Sequence, residues 1–142
     1  MTYLLDTNVI SERRKVKNGQ AAPGIVACEQ TVRPAELFLL VITVQELDIG
    51  VLLMKRKAPE QGQVLRAWLD GQVLPAFQGR LLPTDERVTR RSAHLHVPDP
   101  RPVRDGLIAA TALVHGLSVV TRNVRDFAGA GVDVVNPWEA EQ

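Results

Sequence analysis

Short apolar runs alternate along this chain with stretches of helical periodicity. Tyr3-Leu4-Leu5, Phe38 to Ile42, Arg80-Leu81-Leu82, Leu117-Ser118-Val119-Val120 and Val132 to Val135 read as strands. Phe38 to Ile42 has no polar alternation, as expected of a strand covered on both faces. Between the runs, Pro23 opens a helical pattern of Ile25, Cys28 and Val32. Val44, Leu47, Val51 and Met54 recur at three and four residues and end in Lys55-Arg56-Lys57, a favourable charge for a helix C-terminus. Val64, Leu65, Trp68 and Leu69 mark a third helix finishing near Pro75, and Val88, Ser92 and Leu95 a fourth. Val103 to His115 is apolar almost all round, which predicts a central helix capped by Gly116. Strands alternating with helices predict an α/β fold, a parallel sheet of four to five strands with right-handed crossovers.

Open parallel sheets place their chemistry at the carboxyl ends of the strands. Asp6 follows the first strand. Thr43 and, one turn on, Glu46 follow the second, and Thr84 and Asp85 the third. Thr121, Arg122 and Asn123 follow the fourth, with Asp126 close behind, and Asp105 opens the central helix. Each acid alone has a local use. Asp6 could cap a helix starting near Asn8. Thr43 and Glu46 fit a capping box. Asp85, Glu86 and Asp105 could complement helix N-termini, and Asp126 could sit in a solvated turn. The set says more than its members. Carboxylates gathered without a matching cation repel one another, and a divalent cation removes that cost. Oxygen ligands suit Mg²⁺ or Mn²⁺, and such a site supports in-line attack of water on a phosphodiester. Asn123 can add a neutral oxygen, and Thr7 and Thr121 can bond the carboxylates or the phosphate.

Four segments together resemble a known family. Leu4-Leu5-Asp6-Thr7-Asn8-Val9-Ile10-Ser11-Glu12, Thr43-Val44-Gln45-Glu46-Leu47, Arg104-Asp105-Gly106-Leu107-Ile108-Ala109-Ala110-Thr111-Ala112 and Val120-Thr121-Arg122-Asn123-Val124-Arg125-Asp126-Phe127 are similar, in order and spacing, to the acidic motifs of PIN domains. The length is that of VapC-type toxins, and Val135-Asn136-Pro137-Trp138 is similar to the ending of a subset of them. The resemblance implies a single PIN domain over residues 1–142, with a three-layer fold. It implies a Mg²⁺-dependent endoribonuclease, the toxin of a bacterial toxin–antitoxin pair. Asp6 and Asp105 would ligate the metal and Glu46 would complete the cluster. The fourth position, often Asp, is Asn123 here, which Asp126 could offset from the next turn. A homodimer neutralised by a small antitoxin, its C-terminal segment along the active-site groove, is also implied. A binding-only PIN domain, impaired through Asn123, is the alternative.

Composition narrows the picture. The chain has 142 residues, 45% hydrophobic and 23% charged, which excludes a disordered tail or a fibre. Its net charge of +1 does not announce a nucleic-acid protein. The bases are nonetheless mostly Arg, whose planar fork suits phosphate. Arg13, Arg14, Lys15 and Lys17 follow the Asp6 segment, Arg101 and Arg104 precede Asp105, and Arg122 and Arg125 flank Asn123. Of these, Arg13, Arg14, Arg104 and Arg122 are the candidate RNA contacts. Aromatic residues are few, which argues against base stacking as the main source of RNA affinity. Cys28 is the only cysteine, so an intrachain disulfide and a Cys-based zinc site are excluded, and its apolar pattern places it in the core. His94 and His96 are two apart and do not share a helix face, which disfavours a zinc reading with His115. A receiver domain would want paired acids after the first strand and a late Lys. A haloacid-dehalogenase-type phosphatase would want Asp where Asn8 stands. No apolar run reaches the roughly 18 residues of a membrane span, and Asp6 interrupts the early one, so a cytoplasmic protein is expected.

Overall fold

Neighbouring residues of the central strands divide between two cores. The computed structural model describes residues 1–139. Its strands are β1 (Tyr3–Leu5), β2 (Leu37–Leu40), β3 (Leu81–Leu82), β4 (Ser118–Val120) and β5 (Val134–Val135). They form one parallel sheet in the order β3-β2-β1-β4-β5. Register pairs Tyr3 with Leu37 on one side and with Ser118 on the other. Successive side chains point to opposite faces. Leu5, Leu39 and Val120 therefore enter one core, and Leu4, Leu40 and Val119 the other. That is why the strands read as unbroken apolar runs.

The helices cover both faces. They are α1 (Thr7–Arg13), α2 (Pro23–Thr31), α3 (Val41–Lys57), α4 (Pro59–Trp68), α5 (Leu74–Ala76), α6 (Glu86–Leu95) and α7 (Val103–His115). Val9 and Ile10 of α1, Ile25 of α2 and Leu47 and Val51 of α3 fill the first core. Ile108, Ala109 and Ala112 of α7 fill the second, with Phe127. α7 is the central helix that its apolar surface predicts. It ends at Gly116, whose φ of 70° is the left-handed conformation that glycine adopts without strain.

Some boundaries differ from the sequence pattern. The second strand stops at Leu40, and Val41 and Ile42 already belong to α3. An apolar run marks burial but not where extended chain turns into helix. The third predicted helix is divided: α4 passes through a π turn at Leu69–Val73 into α5, ending just past Pro75. Cys28 is only half-buried. From β1 the chain moves outward to β2 and β3, then crosses back to β4 on the other side of β1. This reversal of direction leaves a crevice at the carboxyl ends of β1 and β4. Among the described residues no helix is long and apolar enough to cross a membrane.

Candidate active site at the carboxyl ends of the strands

Asp6 is the first residue beyond β1 and is fully buried. Its amide donates to Val120 O at 2.9 Å, extending the β1–β4 ladder by one rung. Its carboxylate caps α1, with Oδ1 accepting from the Thr7 amide at 2.7 Å. Oδ2 accepts from Thr121 Oγ1 at 2.7 Å and from Asn8 Nδ2 at 3.4 Å. Asp6 thus serves both as helix cap and as member of the acid cluster, because the start of α1 and the end of β4 meet at its side chain.

Glu46 does not form a capping box. Thr43 is the third residue of α3 rather than its N-cap, so it has no exposed helix terminus to cap. Glu46 instead reaches across the crevice. Its Oε1 accepts from Thr7 Oγ1 at 2.6 Å and its Oε2 from Arg104 Nε at 2.6 Å.

Asp105 lies in the first turn of α7 and is buried. Its Oδ1 accepts from Arg104 Nη1 at 2.9 Å. Arg104 Nη2 donates to Asp6 Oδ1 and to Thr7 Oγ1, the latter at 3.4 Å. One guanidinium therefore pairs with all three acids. Burial pushes the Asp105 carboxyl above the ordinary 3.8, and the charges of Asp126 and Asp6 add to this against the pull of Arg104. Burial also works against the charge on Arg104. The hydrogen bond to Glu46 and the Asp6 carboxylate outweigh it and raise the guanidinium.

Other predicted residues surround this centre at different distances. Asn8 Nδ2 also donates to Thr121 Oγ1 at 3.3 Å, and its Oδ1 accepts from the Arg122 amide at 3.2 Å, tying α1 to the loop after β4. The Asn123 amide donates to Thr121 Oγ1 at 3.0 Å, which puts Asn123 one hydroxyl away from Asp6, with its own residue exposed. Asp126 is exposed in a 3₁₀ turn, Val124–Phe127, near enough for its charge to act on Asp105. The Arg122 guanidinium lies 5.3 Å from the Trp138 ring centre. Arg13 and Arg14 do not join the cluster. Arg13 pairs with Glu29, Arg14 lies over Trp68, and both rim a separate cavity of about 250 Å³. Asp85 is also elsewhere, capping α6 through the Val88 amide at 3.0 Å.

These acids stand in the order of the motifs read from the sequence. The PIN domain model matches residues 3–131. The chain belongs to the PIN-domain family. The relative named VapC ribonuclease Y4jK, from Sinorhizobium fredii, is 39% identical, and the match covers 96% of this chain and 97% of the relative. Toxin FitB of Neisseria gonorrhoeae is also 39% identical, over 95% of this chain and 97% of its own. The crystal structure of FitAcB from Neisseria gonorrhoeae superimposes with a TM-score of 0.88 at 38% identity, covering 97% of this chain and 99% of that one.

In this PIN domain the donor set matches a hard divalent ion in kind: three carboxylates, backed by the hydroxyls of Thr7 and Thr121. The carboxylates are arranged around a flat guanidinium. Among the described residues, no three acidic, His or Cys side chains close on one ion-sized point. The sequence pattern offered Arg104 only as an RNA contact and missed it as the counter-ion of the acids. Its adjacency to Asp105 gave no hint, since helix neighbours do not normally face each other. In the first turn of α7 the long Arg side chain curls back over the crevice and overrides that rule.

Proposed function

We propose that this PIN domain is a metal-dependent endoribonuclease, the toxin of a toxin–antitoxin pair. The observation that carries the reading is the convergence of Asp6, Glu46 and Asp105, from the end of β1, from α3 and from α7, on one cation. The names of the relatives, VapC ribonuclease and toxin FitB, point the same way. Asp6, Asp105 and Glu46 would hold Mg²⁺ or Mn²⁺, with Asn123 or Asp126 as a further oxygen donor. Bound there, the ion supplies charge for a phosphodiester oxygen and activates water.

The chain's own residues set the geometry. Thr7 and Thr121 each donate a hydroxyl proton to a carboxylate, and Asn8 braces Asp6 against the loop after β4. These bonds fix the acids before substrate arrives, so little reorganisation is needed during reaction. Arg122, exposed beside Asn123, would bind an RNA phosphate. In the same reading the protein acts in the cytoplasm as a homodimer and is held inactive by a small antitoxin. A toxin–antitoxin complex from Klebsiella pneumoniae shares the fold, with a TM-score of 0.68 at 26% identity.

The test is cleavage of an RNA substrate by purified protein with Mg²⁺ and with chelator. Cleavage that needs Mg²⁺ and is lost in Asp105→Asn supports the proposal. RNA binding without cleavage in either condition would make the chain a binding-only PIN domain. For the pairing, co-expression with a small antitoxin, sought in the reading frame next to this one, should suppress cleavage.

A further inference from the structure

The guanidinium of Arg104 spends three of its nitrogens on the cluster. Nε bonds Glu46 Oε2 at 2.6 Å, Nη1 bonds Asp105 Oδ1 at 2.9 Å, and Nη2 bonds Asp6 Oδ1. One oxygen of each acid is thus held by the same guanidinium. The remaining oxygens of Asp6 and Glu46 are taken from behind, by Thr121 and Asn8 and by Thr7. Asp105 Oδ2 alone has no hydrogen bond among the described residues. An ion that takes Asp6 Oδ1 and Glu46 Oε2 must displace the guanidinium or share those oxygens with it at close range, whatever oxygen it takes from Asp105. Sharing is opposed by repulsion between like charges a few ångströms apart.

Displacement has a route. The Arg104 side chain is 29% exposed, against 1% for Asp6 and 8% for Asp105, so it enters the cluster from the surface. Its backbone is fixed in the first turn of α7, so the freed side chain would stay at the mouth of the crevice. A planar fork with its donors unpaired is suited to bind a phosphate through two parallel hydrogen bonds.

We propose that Arg104 is the resident counter-cation of the acid cluster, that a divalent ion and Arg104 compete for the same carboxylate oxygens, and that ion entry turns the guanidinium out to an RNA phosphate. This rests on the reading of the cluster as an ion-binding nuclease centre. The exchange makes ion and RNA binding mutually reinforcing: the ion releases the arginine that the phosphate needs, and the phosphate draws that arginine away from the ion's ligands.

Calorimetric titration of Mn²⁺ into the full chain and into Arg104→Gln tests the competition without any reaction. Arg104→Gln should bind Mn²⁺ about tenfold more tightly, as expected when a competing internal cation is removed. Equal or weaker binding by the variant overturns the role of Arg104 while leaving the metal reading intact. Absence of Mn²⁺ binding in both proteins overturns the metal reading and this proposal with it. NMR of the unmutated protein removes any dependence on the folding of the variant. The Arg104 Nε–H resonance, assigned by its loss in Arg104→Lys, should shift on addition of Mg²⁺ as its bond to Glu46 breaks. A resonance that stays in place while Mg²⁺ binds overturns the exchange. For the coupling, a 2′-O-methyl RNA oligonucleotide should bind the unmutated protein more tightly when Mg²⁺ is present, and this gain should vanish in Arg104→Gln. An equal gain in both proteins would overturn the phosphate contact.

Discussion

Thr7 donates its hydroxyl proton to Glu46 at 2.6 Å, joining residues 39 positions apart in the sequence. The bond turns the acid of α3 towards Asp6, the residue that caps the helix Thr7 begins. Two local roles, a helix start and a mid-helix acid, become one site through a single hydroxyl. Thr7→Val keeps the side chain's shape and removes the donor. It should cost about 1–2 kcal/mol of stability in a urea melt. It should also raise the Mg²⁺ needed for half-maximal RNA cleavage, since Glu46 loses one of its two restraints.

Asp6→Asn and Asp105→Asn should both abolish cleavage, yet differ in stability. Repulsion among the acids alone predicts that neither variant is destabilised. The arginine changes this for Asp6, which is fully buried with its carboxylate bonded to Thr7, Thr121 and Arg104. Loss of that charge should cost about 2–4 kcal/mol. The Asp105 carboxyl is raised in the folded state, so folding favours its protonated form. Its contribution is complete below the ordinary 3.8 and is lost as pH rises through the raised value. At neutral pH, Asp105→Asn should therefore melt at or slightly above the parent temperature. Thermal melts of both variants without metal check the difference.

Asn123→Asp should lower the Mg²⁺ requirement, because an added carboxylate draws the ion where an amide carries no charge. Asp126→Ala should raise it, since the Asp126 charge already acts on Asp105. Mg²⁺ titrations of RNA cleavage by the two variants measure both effects. Unchanged curves would confine the site to Asp6, Glu46 and Asp105.

Glu12 should contribute an acid-sensitive part of the stability. Its carboxylate accepts from the Ala22 amide at 2.8 Å and from Lys15 Nζ at 3.2 Å, and the Ala22 bond is the main cause of its lowered pKa. A lowered carboxylate stabilises the fold above its ordinary value of 4.5 and loses that effect as pH falls through the lowered one. In urea melts across this range, Glu12→Gln should show a shallower fall in stability than the parent.

Gly106→Ala should disturb the α6–α7 contact next to Asp105. A Cβ there would stand 2.8 Å from His96 Nε2 and 2.9 Å from Ser92 Oγ. Overpacking of this kind costs about 1–3 kcal/mol. A melt of the variant measures the cost, and its RNA cleavage shows whether the shift of α7 carries Asp105 out of place.

The alternation of buried strands and helices, the parallel sheet and the positions of Asp6, Glu46 and Asp105 are legible along the chain. These are encoded locally: a run such as Leu4-Leu5 is apolar because its two side chains enter opposite cores, and an acid after a strand falls at the sheet edge. The end of β2 at Leu40 escaped the pattern because Val41 and Ile42 are as apolar as the strand before them. How the acids are used depends on contacts made in the folded chain. Thr43 and Glu46 satisfy a capping box in sequence, and it is the start of α3 at Val41 that removes the helix end they would cap. Arg13, Arg14 and Arg104 look alike as surface bases near acids. The fold sends the first two to Glu29 and Trp68 and the third into the cluster. The reason is range. Periodicity reports whether a residue is buried and on which face, whereas its partner is fixed by which strands lie side by side, and β1 meets β4 across more than a hundred residues of intervening chain.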